Sequence, residues 1–261
     1  MPQQRRHESR RRSRRQFPGL YKAVSAVIIL AAVVVACALF FRVSDIQVIG
    51  NVRYTAQEII DVTGVKNGDN LFTVDRSRLA REIQNRLPYI KTVSVRRALP
   101  DGLVITVTEG QAVAAIEQDG RWWLMDSAGK LLEMTSSPSG YAAITGISPL
   151  APAAGTNLAT SEEQRPRLTL LRELLEALED NGLLDKLNSV DLSQEYQITL
   201  TYDRRFTVQL STALASPNPN ETAMSYWLRR FAVAKDNPRV IPDQHYRVDI
   251  SDNERLHFIL E

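Results

Sequence analysis

The chain has 261 residues, of which 44% are hydrophobic and 24% are charged, and its formal net charge at pH 7 is +2. This balance is typical of one or two folded domains and excludes a wholly disordered chain. The charge is unevenly distributed, because residues 1–22 contain eight Arg or Lys residues and one Glu and so carry +7, which leaves −5 for the rest.

Residues 23–41 form an uninterrupted run of 19 residues without charge, Asn, Gln or Pro. As a helix this run would be about 28 Å long, close to the thickness of the hydrocarbon core of a bilayer. The sequence therefore predicts a transmembrane helix over residues 23–41. Since positive charge is retained on the cytoplasmic side, the Arg-rich tail over 1–22 is predicted to be cytoplasmic and the remainder extracytoplasmic.

A basic arm that binds nucleic acid is the alternative interpretation of the tail. Such an arm rarely adjoins a membrane span, so no nucleic-acid partner is predicted.

Cleavage of this segment is a competing interpretation. Val34-Val35-Ala36-Cys37 loosely resembles a lipoprotein processing site, and Ala36-Cys37-Ala38 has the small residues that a signal peptidase prefers. The apolar run continues beyond both cuts and is longer than the ~7–15 residues of a signal-peptide core, which favours an uncleaved anchor. Cys37 is the only cysteine, so the chain has no intramolecular disulfide.

Residues 43–110 show the pattern strand, helix, helix, strand, strand. Ile46 and Val48 alternate with polar residues, a capping box of Thr55 and Glu58 starts a short helix that ends at residue 63, and Asp75 caps a second helix that ends before residue 88. Two alternating segments around a turn at 99–102 complete the pattern. Two helices with apolar stripes must cover one face of a three-stranded sheet, because neither layer buries its apolar side alone.

Residues 111–261 show a strand-rich pattern with two helices, over about 168–178 and 221–234. The start of the first helix is ambiguous, because Thr160 and Glu163 resemble a cap but Pro166 follows them. Trp122 and Trp123 are adjacent on a strand, so we expect one in the core and the other on the surface. Strands are predicted over 112–116, 122–125, 189–192, 196–202, 206–210, 246–250 and 255–260. The predicted fold class is thus α+β, with a single N-terminal transmembrane helix, a β-α-α-β-β domain and a β-rich domain with two helices.

The chain lacks the common motifs of catalysis and cofactor binding: a phosphate-binding Gly-rich loop, Gly-x-Ser-x-Gly, His-Glu-x-x-His and Cys-x-x-Cys. Its acidic residues lie mostly at predicted caps and turns. The sequence therefore predicts no catalytic, cofactor-binding or metal site. An open sheet edge, however, can accept a strand from a partner without any catalytic residue.

Several ordered motifs resemble the FtsQ/DivIB family of bacterial division proteins over essentially the whole chain. Those similar to the family's POTRA domain are Ile46-x-Val48-x-Gly50-Asn51, Thr55-x-x-Glu58-Ile59, Gly68-x-Asn70-Leu71-Phe72, Leu87-Pro88, Leu99-Pro100-Asp101 and Ile105-x-Val107-x-Glu109. Those similar to its second, β-rich domain are Trp123-Leu124-Met125-Asp126-x-x-Gly129 and Val248-Asp249-Ile250-Ser251. The resemblance implies a POTRA domain over 43–110 and an FtsQ/DivIB-type β domain over 111–261. After Glu109 the family usually has a basic residue and then a proline, whereas this chain has Gly110 and Gln111.

The resemblance implies a non-enzymatic divisome scaffold at the division septum, anchored in the cell membrane by residues 23–41. It implies FtsL-like and FtsB/DivIC-like bitopic proteins as partners, no cofactor, and a link to septal peptidoglycan synthesis proteins. In the family the partner docks on the last strand region of the β domain. Carried onto this chain, the partner-binding residues are Tyr246, Val248, Leu256, His257, Phe258, Ile259 and Leu260. The alternatives are a membrane-anchored envelope enzyme or ligand sensor, and a POTRA-type chaperone or secretion module.

Overall fold

A computed structural model describes residues 18–242, 244–251 and 255–261. The first element is helix α1, Pro18–Phe40, whose described side chains are nearly all exposed. Among the described residues, none of the helices has both the length and the apolar character that crossing a membrane requires. The span over residues 23–41 therefore stays a prediction, and all but five residues of the Arg-rich tail lie outside the described residues.

The first domain has the predicted order of elements. Its strands and helices are β1 (Asp45–Ile49), α2 (Ala56–Thr63), α3 (Arg76–Arg86), β2 (Ile90–Ala98) and β3 (Gly102–Glu109). The three strands form one sheet in the order β1-β3-β2. Strand β1 runs parallel to β3, and β2 runs antiparallel to it.

Local sequence signals set the helix ends of this domain. The hydroxyl of Thr55 accepts from the Glu58 amide, the Glu58 carboxylate accepts from the Thr55 amide, and α2 ends at Gly64 in the left-handed region. The Asp75 carboxylate accepts from two amides at the start of α3. Helix α3 stops one residue before Leu87, which precedes a proline and is therefore disfavoured in a helix. The buried faces of both helices pack on the sheet through Ile59, Leu79, Ile83, Leu103, Ile105 and Val107.

The second domain is one nine-stranded sheet with two helices. Its strands are β4 (Ala114–Gln118), β5 (Arg121–Met125), β6 (Leu131–Thr135), β7 (Ala142–Thr145), β8 (Leu187–Asp191), β9 (Gln197–Tyr202), β10 (Phe206–Ser211), β11 (Tyr246–Ile250) and β12 (His257–Leu260). They lie in the order β12-β11-β10-β9-β8-β7-β4-β5-β6. Helices α4 (Arg165–Asp180) and α5 (Ala223–Ala234) bury leucine and aromatic side chains in the main core, and one-turn 3-10 helices occupy Glu162–Gln164 and Leu184–Lys186.

Helix α4 starts later than a Thr160 cap would require. Pro166 lies in its first turn, where the missing proline N–H would have no partner within the helix. The hydroxyl of Thr160 donates instead to the Ser161 carbonyl, so the capping box with Glu163 does not form.

The expectation of one core and one surface tryptophan on β5 is wrong. Trp122 and Trp123 do point to opposite faces, but both are half-buried. Trp123 packs against the main core, whereas Trp122 packs against a small cluster that contains Tyr89, Ala115 and Leu124. Tyr89 belongs to the first domain, so the outer face of the sheet is covered at this end by the neighbouring domain.

Candidate partner-binding edge

Strand β12 is the outermost strand at one end of the nine-stranded sheet. It pairs antiparallel with β11, with Leu260 opposite Tyr246 and Phe258 opposite Val248. Strand β11 in turn pairs parallel with β10. Among the described strands none pairs with the other side of β12, so this side of its backbone faces outward.

The hydrogen bond after β12 fixes which of its backbone groups face outward. The Glu261 amide donates to the His245 carbonyl over 3.1 Å, towards β11. Because hydrogen-bonding direction alternates along an antiparallel strand, the amides and carbonyls of Ile259 and His257 also point towards β11. Those of Phe258 and Leu260 therefore point away from the sheet. A strand added here would pair with these two residues.

The side chains of β12 divide between packing and exposure. The ring of Phe258 lies 6.4 Å from that of Phe206 and 6.3 Å from that of Tyr246, between ring centroids. Ile259 and Leu260 are 40% and 57% exposed. His257 is also exposed, and Leu256 just before the strand is half-buried against the main core. The edge strand thus exposes apolar side chains, while the ring of Phe258 packs it against the core.

Tyr246 and Val248 lie inside the sheet rather than at its edge. Both are buried, and β11 has a neighbouring strand on each side. The Tyr246 hydroxyl accepts from the Ile241 amide over 2.9 Å, and its ring stacks on Phe206. These two residues belong to the strand on which β12 pairs, and their backbone is not available to a partner strand.

A groove of about 800 Å³ lies beside β12, between the C-terminal half of α5 and the last two strands. Its described lining is basic and apolar: Arg229, Arg230, Val233, Ala234, Asn237, Arg239, Val240, Tyr246, Arg255, Leu256 and Phe258. Val233 is 75% exposed. The Arg229 guanidinium pairs with Glu221 at 2.9 Å, and this contact lowers the pKa of that carboxyl. The described lining holds four arginines, which suits a partner with acidic and apolar side chains.

The described residues contain no group of three or more His, Cys, Asp or Glu side chains placed to hold a metal ion. The features that meet at β12 are an outward-facing backbone edge, exposed aliphatic side chains and a basic groove. This arrangement is suited to binding a polypeptide.

A second polar cluster lies at the opposite end of the sheet, where the domains meet. The Lys130 ammonium group, in the turn just before β6, donates to the carbonyls of Gln84 and Ile90 in the first domain, each over 3.0 Å. Burial lowers the pKa of Lys130 below its ordinary value. The Tyr89 hydroxyl donates to Glu133 over 2.7 Å, and burial together with this contact raises the pKa of Tyr89.

The last residue of β3, just before the linker, is held by contacts within the first domain. The Glu109 carboxylate accepts from the amides of Val52, Arg53 and Tyr54, over 3.0, 2.7 and 3.3 Å. Partial burial raises the pKa of Glu109, but these N–H donors outweigh it and bring the pKa below its ordinary value. Gly110 follows directly, and its amide donates to the Tyr89 carbonyl over 2.7 Å. Although the family's basic residue and proline are absent, the linker is therefore tied to the first domain.

Comparisons with known proteins agree with this architecture. A family model described as the FtsQ-type POTRA domain matches residues 41–109. A cell division protein FtsQ from Corynebacterium glutamicum is 28% identical over 172 residues, which are 63% of this chain and 77% of that protein. A cell division protein DivIB from Clostridium acetobutylicum is 31% identical over 157 residues, which are 59% of this chain but only 61% of that protein.

A solved structure is similar over a smaller part of the chain. It is the major extracytoplasmic domain of DivIB from Geobacillus stearothermophilus, in its trans isomer, with 13% identity over 51% of this chain and 92% of that one. The TM-score is 0.28, which is too low to support an argument from shape. The match to the domain model and the observed β-α-α-β-β order agree on an FtsQ-type POTRA domain over residues 41–109. The chain therefore contains an FtsQ-type POTRA domain, and it is similar to FtsQ and DivIB cell division proteins over 63% and 59% of its length.

Proposed function

We propose that this chain is a non-enzymatic cell division scaffold that captures FtsL-like and FtsB/DivIC-like bitopic proteins by adding a strand of the partner to β12. The observation that carries this proposal is the outward direction of the Phe258 and Leu260 backbone groups. Main-chain hydrogen bonds to a strand edge give affinity, and alternate side chains select the partner. By holding these partners the chain links division-ring assembly to septal peptidoglycan synthesis.

The proposed location is the cell membrane at the division septum, with residues 23–41 as a single-pass anchor. The uncharged run of 19 residues and the +7 charge before it support an N-terminus in the cytoplasm and both folded domains outside it. Tethering matters for affinity, because two proteins held in one membrane meet at a far higher effective concentration than two free proteins. A strand edge of modest area is then sufficient for capture.

The basic groove beside β12 extends the proposed interface beyond the backbone. A partner strand alone would contact the exposed side chains of Ile259 and Leu260. A following helix or loop with acidic groups would meet Arg239 and the neighbouring arginines in the groove. Such charge complementarity raises the rate of association and fixes the register of the partner.

The proposal is tested by substituting Leu260, whose exposed side chain makes little contribution to the core. Leu260→Pro removes an outward amide and introduces a ring that obstructs the partner strand. Leu260→Ala is the matched control, because it shortens the same side chain but keeps the amide. The full chain is co-expressed with its FtsL-like and FtsB/DivIC-like partners and pulled down from detergent-solubilised membranes. Loss of one hydrogen bond of about 1 kcal/mol corresponds to at least about fivefold weaker capture by Leu260→Pro.

Equal partner yields from Leu260→Pro and Leu260→Ala would contradict strand addition at β12. Ile259→Pro separates binding from folding. It removes an amide that points towards β11, so it should detach β12 from the sheet and lower the stability of the chain as well as partner capture. Leu260→Pro should leave the thermal unfolding transition close to that of Leu260→Ala.

A further inference from the structure

We infer that the end of the POTRA domain next to α1 rests in the headgroup layer of a lipid bilayer, through an apolar lip formed by Phe40, Phe72 and Leu99. These side chains are 73%, 51% and 62% exposed. They come from three separate segments: the end of α1, the loop before α3, and the turn between β2 and β3. This inference rests on the proposed anchor, and it gives the first domain a surface that the scaffold function does not require.

Backbone hydrogen bonds hold the loop of Phe72 against the residue that follows α1. The Leu71 amide donates to the Phe41 carbonyl over 2.9 Å, and the ring of Phe72 meets that of Phe41 edge-on, with centroids 5.1 Å apart. Two further backbone bonds join Val43 to this loop, from its amide to Asp69 and to its carbonyl from Gly68. The loop therefore cannot move away from the end of α1 without losing these bonds.

The turn that carries Leu99 is joined to the same segment. The Ser44 amide donates to the Asp101 carbonyl over 2.9 Å, and the Ser44 hydroxyl donates to the Asp101 carboxylate. Asp101 lies two residues after Leu99, and Ser44 lies four residues after Phe40. The first domain thus presents two apolar side chains at the level where the proposed anchor would leave the hydrocarbon core.

Two arginines, Arg42 and Arg97, lie beside this lip. The Arg97 guanidinium donates to the carbonyls of Leu71, Phe72 and Val74, over 2.7, 3.1 and 2.9 Å, and so connects the loop to β2. Arg42, two residues after Phe40, is exposed. Aromatic and aliphatic side chains flanked by arginine are typical of the membrane–water interface, where the rings lie at headgroup depth and the cations meet lipid phosphates. The headgroup region is roughly 6 Å thick on each side. Phe72 and Leu99 lie on segments that are hydrogen-bonded to Phe41 and Ser44, directly after the proposed anchor.

The experiment measures depth in the membrane with the full chain reconstituted into phosphatidylcholine–phosphatidylglycerol vesicles. Cys37 is first replaced by alanine, and single cysteines are then introduced at Leu99, Val52 or Leu30 and labelled with the environment-sensitive fluorophore NBD. Val52 is 90% exposed and follows the far end of β1, so it reports on the opposite end of the same domain. Leu30 lies in the middle of α1 and reports on the anchor itself.

We expect the probe at Leu99 to emit at shorter wavelength than the probe at Val52 and to be quenched at least twofold more by lipids spin-labelled near the headgroup. The probe at Leu30 should be quenched most by lipids labelled deep in the acyl chain. Quenching at Leu30 with equal, water-like emission at Leu99 and Val52 would overturn the lip and leave the anchor standing. Absence of quenching at Leu30 would overturn the anchor, and the lip with it.

Discussion

The Tyr89 hydroxyl of the POTRA domain donates a 2.7 Å hydrogen bond to the Glu133 carboxylate of β6, across the junction of the two domains. Arg53 completes this contact, because its guanidinium lies 3.8 Å from the centre of the Tyr89 ring and 3.2 Å from Glu133. With the two Lys130 hydrogen bonds to the first domain, these contacts join the POTRA domain to the outer strand of the large sheet. The angle between the domains is therefore set by specific side chains as well as by the linker.

Tyr89→Phe should weaken the contact between the two domains without leaving a cavity. The variant keeps the ring under Arg53 but loses the hydrogen bond to Glu133, so we expect the free energy of unfolding to fall by about 1 kcal/mol. Chemical denaturation monitored by tryptophan fluorescence measures this change, with Tyr196→Phe at a 72% exposed position as the matched control. Equal losses in the two variants would show that the interdomain hydrogen bond contributes nothing.

Glu109→Gln should reduce the free energy of unfolding at pH 7 and also the change in this free energy between pH 7 and pH 3. The folded state lowers the pKa of Glu109, so the stabilisation is complete above pH 4.5, the group's ordinary value, and is lost as the pH falls through the lower folded-state pKa. We expect a loss of about 1–2 kcal/mol at pH 7, because three amides lose a charged acceptor. Denaturation of wild type and variant at pH 7 and pH 3 tests this, and their difference should shrink at pH 3. Glu117→Gln, at an exposed position of β4, should change neither value.

Gly146→Ala should be among the most disruptive small substitutions in the β domain. Gly146 has φ +83°, and an added Cβ would lie 2.2 Å from the Ser193 amide nitrogen and 2.3 Å from the Leu192 carbonyl carbon. Backbone strain and this overlap together should cost about 3 kcal/mol or more. Gly120→Ala shares the positive φ, at +75°, but has open space around it, so its cost should be about 1 kcal/mol. Similar unfolding midpoints for the two variants would refute the steric argument.

Arg239→Glu should weaken partner capture if the basic groove belongs to the interface. Reversal of one charge beside β12 should reduce association at low salt by several-fold, and the difference from wild type should narrow as ionic strength rises. The measurement is the yield of co-purified partner across a salt series, with Arg121→Glu on β5, at the other end of the sheet, as control. An unchanged yield at every salt concentration would remove the groove from the proposed site while leaving strand addition intact.

Features that depend on neighbouring residues could be predicted from the sequence. The capping box of Thr55 and Glu58, the Asp75 cap and strand Tyr246–Ile250 lie where the sequence placed them, because caps and strict alternation are local signals. The order of elements in the first domain also followed from such signals. Strand β7 was not predicted, since the short Ala142–Thr145 segment has small residues and no clear alternation.

Features that depend on distant residues could not be predicted. Lys130 meets carbonyls 40 and 46 positions away, and neither its type nor its place in a turn indicates that it is half-buried. The parallel pairing of β10 with β11, across α5, likewise has no sequence signal of its own. At the candidate edge, the sequence indicated a final strand, but the outward direction of Phe258 and Leu260 follows from one hydrogen bond at Glu261. Hydrogen-bonding direction depends on the pairing register, which the alternation of side chains does not determine.

The strand order of the large sheet places the candidate edge far from the junction between the domains, so a small rotation at the junction causes a large displacement of β12. Its β6 end is fixed to the POTRA domain, and β12 is eight strand spacings away, or roughly 38 Å along the sheet at ~4.8 Å per spacing. Over that arm a rotation of roughly 5° at the junction displaces β12 by roughly 3 Å, most of one spacing between strands. A change of interdomain angle too small to break the Tyr89–Glu133 hydrogen bond would thus be enough to move β12 into or out of alignment with a partner strand.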